Sequence, residues 1–364
     1  MAALESFHHR LVTDGPKGAA ERLIFALLVL LSRCFAGLSW LRNLLYQKKL
    51  LPAYMARLPV ISVGNLAVGG TGKTPVVDHL LGWFAARGVK VAVISRGYGG
   101  NFVGRFAMVS SGEGGGPLRP ASSCGDEPFL LAQRNPHSRV YVARKRRHAL
   151  QHLEQTRLVD LVILDDGFQH RQVARDLDVV LLDDARPYGN GYLLPAGILR
   201  EGPSALQRAD LLVLTRAEPS RPVSLVTSTP HCRCAHRLGA EVVAIGGGCR
   251  PLAELRRRKG VAFAGIADPG RFFELLVVAG VELVVRRPFA DHCSYTQREI
   301  AMLEADAADA DFLLTTEKDA VKLAGFQFRK PCYIVKLEID FFEGAALDNA
   351  LYDILGRIEH AQSQ

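Results

Sequence analysis

From residue 58 onward, short apolar runs alternate with helical patterns and glycine-rich turns, the sequence form of a parallel α/β sheet. Candidate strands fall at 59–63, 90–95, 139–143, 158–164, 177–182 and 210–215, enough for one complete sheet. Residues 217–240 carry four prolines or glycines and little apolar periodicity, which reads as a linker. A second α/β series follows, with strands at 241–245, 260–264, 281–286, 311–315 and 332–337 and a last helix near 344–360. There is no internal repeat, and the serine- and glycine-rich patch 110–116 reads as a loop. Upstream, residues 23–45 are rich in Leu, Ile, Phe and Ala but are broken by Arg33 and Arg42, a poor pattern for a membrane span. Rotated at about 100° per residue, Arg22, Ser32, Arg33, Ser39 and Asn43 share one narrow arc, and Leu, Phe and Trp fill the rest. That apolar arc is wider than the stripe of a simple core helix, so the expectation is an interfacial helix, with a packed core helix as the alternative.

Composition removes several classes. The chain has 364 residues, 48% hydrophobic and 23% charged, which fits a folded two-domain protein rather than a disordered or polytopic membrane one. The net charge is +8, and residues 1–60 hold eight cations against three anions, so the basic excess sits beside the apolar helix, where anionic lipid would meet it. The basic residues lack interleaved aromatics or a nucleic-acid-binding motif, so no nucleic-acid partner is expected. Seven scattered cysteines imply free thiols in a reducing compartment, and the single close pair, Cys232 and Cys234, has no second pair to complete a zinc site. No secretory signal precedes the folded region.

Chemistry is concentrated after the first strand. Gly69-Gly70-Thr71-Gly72-Lys73-Thr74 opens a helical pattern, and strand, glycine loop, Lys-Thr and helix together make a phosphate cradle. Glycines let backbone N–H groups turn inward, the helix start adds partial positive charge, Lys73 reaches the outer phosphates and the Thr74 hydroxyl can hold Mg²⁺. The strict pattern wants glycine at position 67, where this chain has Ala67. The strand at 158–164 ends in Asp165-Asp166-Gly167, placing two carboxylates at the carboxyl edge, where open sheets bind ligands and where one aspartate can support Mg²⁺.

Several segments in order, the cradle 64–75, Ser95-Arg96-Gly97-Tyr98, Gly125-Asp126-Glu127-Pro128, 165–171, 194–201, Asp291-His292 and 315–319, make the chain resemble the tetraacyldisaccharide 4′-kinases, the lipid A 4′-kinases of Gram-negative bacteria. In that family the first glycine of the cradle also varies, which accommodates Ala67. The resemblance implies a P-loop-containing α/β/α domain, a second, smaller α/β/α domain and an N-terminal membrane-associated helix. The expected boundaries are 1–50 for the helix, 51–216 for the ATP-binding catalytic domain, 217–240 for the linker and 241–364 for the domain closing the cleft. It implies transfer of the ATP γ-phosphate to the 4′-hydroxyl of tetraacyldisaccharide 1-phosphate, peripherally on the cytoplasmic face of the inner membrane, with no obligate protein partner. By the same resemblance Asp126 activates the acceptor hydroxyl, supported by His292. Asp165, Asp166, Gln169 and Glu201 join Thr74 around Mg²⁺, and Arg144, Arg146, Arg147 and Arg200 are candidates for the substrate phosphate. The residues alone allow blander readings: a helix cap for Asp126, a solvated helix face for 144–147, and a capping box for Thr316 and Asp319. The competing function is a membrane-associated regulatory P-loop ATPase. Such proteins usually carry a lysine before the paired glycines, where this chain has Val68.

Overall fold

The computed structural model describes residues 2–362 apart from Ser224, Val226 and His292. Two helices open the chain, α1 (Ala2–Asp14) and α2 (Ala19–Gln47). The first α/β series comprises β1 (Val60–Asn65), α3 (Lys73–Ala85), β2 (Val91–Ser95), β3 (Ala107–Ser111), α4 (Ala121–Cys124), α5 (Asp126–Arg134), β4 (Arg139–Val142), α6 (Arg146–Thr156), β5 (Leu161–Asp165), β6 (Leu177–Asp183) and β7 (Leu211–Thr215). Next come β8 (His231–Ala244) and β9 (Cys249–Pro251). The second series holds β10 (Lys259–Ala264), α7 (Pro269–Val278), β11 (Glu282–Pro288), α8 (Gln297–Asp306), β12 (Phe312–Thr316), α9 (Glu317–Ala320), β13 (Cys332–Glu343) and α10 (Ala345–Gln362). Strands β1, β2, β5 and β7 are buried along their whole length, because helices cover both faces of a parallel sheet and leave no side to water.

The strands run in the order β11-β10-β12-β13-β8-β7-β6-β1-β5-β2-β4-β3, with β9 paired to β8. Within each series the neighbours are parallel except β3, which closes one edge antiparallel to β4. The two series meet where β8 runs parallel to β7 at one end and antiparallel to β13 along the rest. The expected linker 217–240 ends early: His231 to Ala240 belong to β8, paired first with β7 and then with β13. The C-terminal helix also differs from expectation. Leu347, Leu351, Ile354 and Ile358 of α10 pack with Leu80, Leu81 and Phe84 of α3, so β13 returns the chain to the first half. The stretch read as a loop at 110–116 gives its first two residues to β3.

Helix α2 is inverted relative to a surface helix of a soluble protein. Part of its polar arc faces the body, while Arg22 and Arg33 are exposed: Ser32 is buried, donates to the Leu193 carbonyl at 2.6 Å and accepts from the Ala196 amide at 3.0 Å. Asn43 and Arg42 donate to the Glu201 carboxylate at 2.7 and 3.1 Å. The outward side carries Leu23, Leu27, Leu30, Leu38 and Trp40, of which Leu38 is 67% and Trp40 65% exposed. At 29 residues the helix is long and apolar enough to cross a membrane by length and composition.

Candidate active site

The loop between β1 and α3 turns on Gly69 and Gly72, with φ of 110° and 82°, the left-handed backbone that aims successive N–H groups inward. A Cβ on Gly72 would stand 2.7 Å from His236 Nε2, so the second half closes directly on the cradle. Ala67 is buried, has no positive φ and bridges antiparallel to Leu199, so this position has no need of glycine. The outer side of the loop is strapped by Val68 N–H to Ile198 O and Arg200 N–H to Leu66 O, both at 2.8 Å. Inside, Asn65 donates to the Thr71 hydroxyl at 2.9 Å, Thr215 donates to Thr71 O at 3.0 Å, and the Arg216 guanidinium donates to Gly70 O.

Opposite Lys73, β5 delivers the two aspartates. Asp165 is buried; Ser95 donates to its Oδ2 at 3.0 Å, and its Oδ1 has no hydrogen-bond partner among the described residues. Burial, then the charges of Glu127 and Asp166, push its carboxyl up to about 7. Asp166, in the left-handed region at φ 52°, behaves differently. Burial opposes its ionisation, yet Lys73 at 3.6 Å and Arg200 at 2.9 Å hold its carboxyl below the usual range. Gln169 donates to Asn65 O at 2.9 Å, tying this loop to the cradle.

A cleft of about 990 Å³ lies between the cradle and the second half. Of the residues expected there, Gly69 to Thr74, Asp165, Asp166, Gln169 and Arg200 line it together. Three expected arginines do not. Arg146 is buried under the aspartate turn and donates to the carbonyls of Asp165 and Asp166 at 3.2 and 3.3 Å, so it shapes the loop from behind. Arg144 and Arg147 are exposed away from the cleft lining. Glu201 is also placed elsewhere: its carboxylate is buried and taken up by Arg42, Arg208 and Asn43, the anchor of α2 rather than a group turned to Thr74. Asp126 starts α5 after Gly125 and faces Lys322 at 3.3 Å, while its neighbour Glu127 lines the cleft. His292 lies outside the described residues; Asp291 beside it lines the cleft and pairs with Lys318 at 3.0 Å.

Of the expected capping box the Thr316 half is present, its side chain accepting from the Asp319 amide at the start of α9, while the Asp319 carboxylate accepts from Gly265 N and the Tyr295 and Thr316 hydroxyls. Residues not singled out from sequence complete the walls. Arg216 follows β7 and pairs with Asp183 at 3.0 Å and Asp268 at 3.2 Å; its position just past a strand end was a usable signal. His236 had none, because only the pairing of β8 brings it to the cradle. Burial, with Arg216 and Arg271 nearby, pushes its imidazole down to about 4, so it stands there neutral. Phe35, Ser39 and Arg42 bring α2 to the same cleft.

The sequence profile of the tetraacyldisaccharide-1-P 4′-kinases matches residues 24–356. The chain is 44% identical over 355 residues to the tetraacyldisaccharide 4′-kinase of Syntrophotalea carbinolica, covering 98% of this chain and 99% of the relative. It is 43% identical over 351 residues to that of Geobacter sulfurreducens, covering 96% and 99%. Among solved structures, LpxK from Aquifex aeolicus in complex with ATP superposes with a TM-score of 0.76 at 30% identity, covering 91% of this chain and 99% of that one. With a phosphate cradle in the expected place and relatives matched over nearly their whole length, the chain belongs to the tetraacyldisaccharide-1-P 4′-kinase family.

Proposed function

We propose that this chain transfers the γ-phosphate of ATP to the 4′-hydroxyl of tetraacyldisaccharide 1-phosphate, working from the cytoplasmic surface of the inner membrane with Mg²⁺. The observation that carries this reading is the meeting of two features in one cleft: the phosphate cradle, and a helix whose apolar side faces away from the protein. Phosphoryl transfer is mostly positioning and charge neutralisation, which the cradle amides, Lys73 and the dipole of α3 provide. The acceptor oxygen attacks phosphorus, the bond to the ADP oxygen breaks, and the hydroxyl proton passes to the Asp126 carboxylate. His292 is retained as its support on sequence grounds. Arg200, already at the cleft and paired with Asp166, is the arginine kept for substrate phosphate.

The donors fit Mg²⁺. Asp165 Oδ1 is buried without a hydrogen-bond partner among the described residues, an acceptor that a cation would satisfy. Among the described residues no three His, Cys, Asp or Glu side chains form a metal cage, in keeping with a cation completed by substrate phosphates and water. Thr74, Asp165, Asp166 and Gln169 would hold it, and when bound it neutralises charge on the β- and γ-phosphates. Glu201 is left out of this set because its carboxylate is already neutralised by two arginines.

The outward apolar side of α2 supports membrane contact. Large exposed side chains in a row gain free energy by entering the acyl boundary, about 25 cal/mol per Å² of apolar surface covered. The deciding experiment supplies γ-labelled ATP and purified tetraacyldisaccharide 1-phosphate in mixed micelles, with free phosphate measured in parallel. Label should enter the lipid with little acceptor-independent hydrolysis. Free phosphate release without labelled lipid would replace the kinase by an ATPase.

A further inference from the structure

We infer that Lys322 positions Asp126 for catalysis, so that a residue of the second half sets the carboxylate of the first. The inference rests on the reading of Asp126 as the group that accepts the hydroxyl proton. The backbone of Asp126 is already constrained, since Gly125 has φ 95° and a Cβ there would stand 2.4 Å from Tyr98 O. Its side chain leaves the first residue of α5. The Lys322 ammonium, from the second half, stands 3.3 Å from its Oδ2.

Lys322 is itself held. It lies in the short turn after α9, and its ammonium is 3.8 Å from Asp319 Oδ1. Asp319 is fully buried and accepts from Gly265 N at 3.0 Å, Tyr295 Oη at 3.0 Å and Thr316 Oγ1 at 2.7 Å. These three donors fix Asp319 against the second half, and Asp319 in turn holds the lysine by charge. The Lys322 nitrogen is buried and makes no hydrogen bond among the described residues, so the two carboxylates are its compensation. The next residues repeat the pairing: Lys318 lies 3.8 Å from Glu127 and 3.0 Å from Asp291, so the start of α5 is docked at two points, on α9 and on the turn after it. With Asp126 on one half and Lys322 on the other, this ion pair forms when the halves are together.

The test uses the full chain in lipid micelles and compares K322M, K322R and D126A with the parent, each confirmed folded by its thermal transition. K322M should lose about 10- to 100-fold in kcat for label transfer to lipid, the scale for a misplaced reacting group, while KM for ATP and for lipid stays within twofold. K322R, which restores the charge, should recover most of the loss. Adding K322M to D126A should cost almost nothing further, because the lysine acts through the aspartate. If D126A is inactive but K322M turns over within twofold of the parent, or K322R is no better than K322M, the positioning role is wrong and the reading of Asp126 stands. If D126A itself stays within twofold of the parent, the reading of Asp126 has failed and the role of Lys322 fails with it.

Discussion

Gly72 combines a φ of 82° with contact against His236, so any Cβ there meets both backbone strain and a ring 2.7 Å away. Gly72→Ala should weaken ATP binding by more than about tenfold, read by nucleotide titration, since the ring must shift or the loop must open. His236 gives a second prediction at this scale, in pH. Its folded pKa of about 4 lies below its ordinary 6.5, so between these values the unfolded chain binds the proton and the native protein does not. The contribution of this site is therefore complete above about pH 6.5 and is lost as the pH falls toward 4. At 1.36 kcal/mol per unit the loss reaches at most about 3 kcal/mol. His236→Gln, which cannot titrate, should show a smaller drop in urea-unfolding free energy between about pH 7 and about pH 4.5 than the parent; an equal drop would assign the acid sensitivity to other groups.

Helix α2 is held to the body through its few polar residues and leaves its many apolar ones outside. That arrangement is unstable against water and suited to lipid. Replacing Leu27, Leu30 and Leu38, all more than half exposed, by Asp should move the protein from the vesicle-bound to the free fraction in flotation. Transfer to lipid should fall at least about tenfold while ATP binding stays unchanged, because none of the three lines the cleft. Aggregation of the variant with no folded fraction would instead mark the outer face as a core surface. Element α5 shows the opposite economy: nine residues carry Asp126 at one end and Arg134 at the other, and both ends reach the second half.

The whole molecule is held closed partly by Arg134. It is largely buried and pairs with Asp78 of α3 at 3.0 Å, with Glu317 of α9 and with the Leu337 carbonyl of β13. Burial works against its charge, yet Glu317 and Asp78 hold the guanidinium above its ordinary value. Arg134→Met should leave two carboxylates facing each other without a cation and lower the unfolding free energy by about 2–4 kcal/mol, the range for a broken, partly buried ion pair. Chemical denaturation measures that cost. KM for ATP should rise as well, because the helix that carries the cradle loses its tie to the other half. Stability and KM both unchanged would mean that the closed arrangement is held without Arg134, by the β8–β13 pairing and the remaining ion pairs between the halves.

Local physics made much of this readable from the residues themselves. The cradle needs only a strand, glycines able to turn, Lys-Thr and a helix in immediate succession, so 64–75 declared it. The two aspartates were legible because a strand end is a fixed address in an open sheet, and the Thr316 cap because a cap is satisfied within three residues. The main strands of both series fell close to their expected places for the same reason, buried parallel strands being short uninterrupted apolar runs. Tertiary structure decided whatever depended on a partner far along the chain. Nothing near Arg146 says that it turns inward under the aspartates while Arg144 and Arg147 face solvent, and nothing near Glu201 says that Arg42 and Asn43, 159 and 158 residues earlier, will claim it. The edge strand β3, the long β8 and the return of α10 to the first half each exist because a distant segment offers hydrogen bonds or apolar surface. The composition of α2 gave its wide apolar arc, but which side would face the protein was settled by where Leu193, Ala196 and Glu201 present their polar atoms, since a buried hydroxyl or carboxylate must find its partner before the leucines can be left outside.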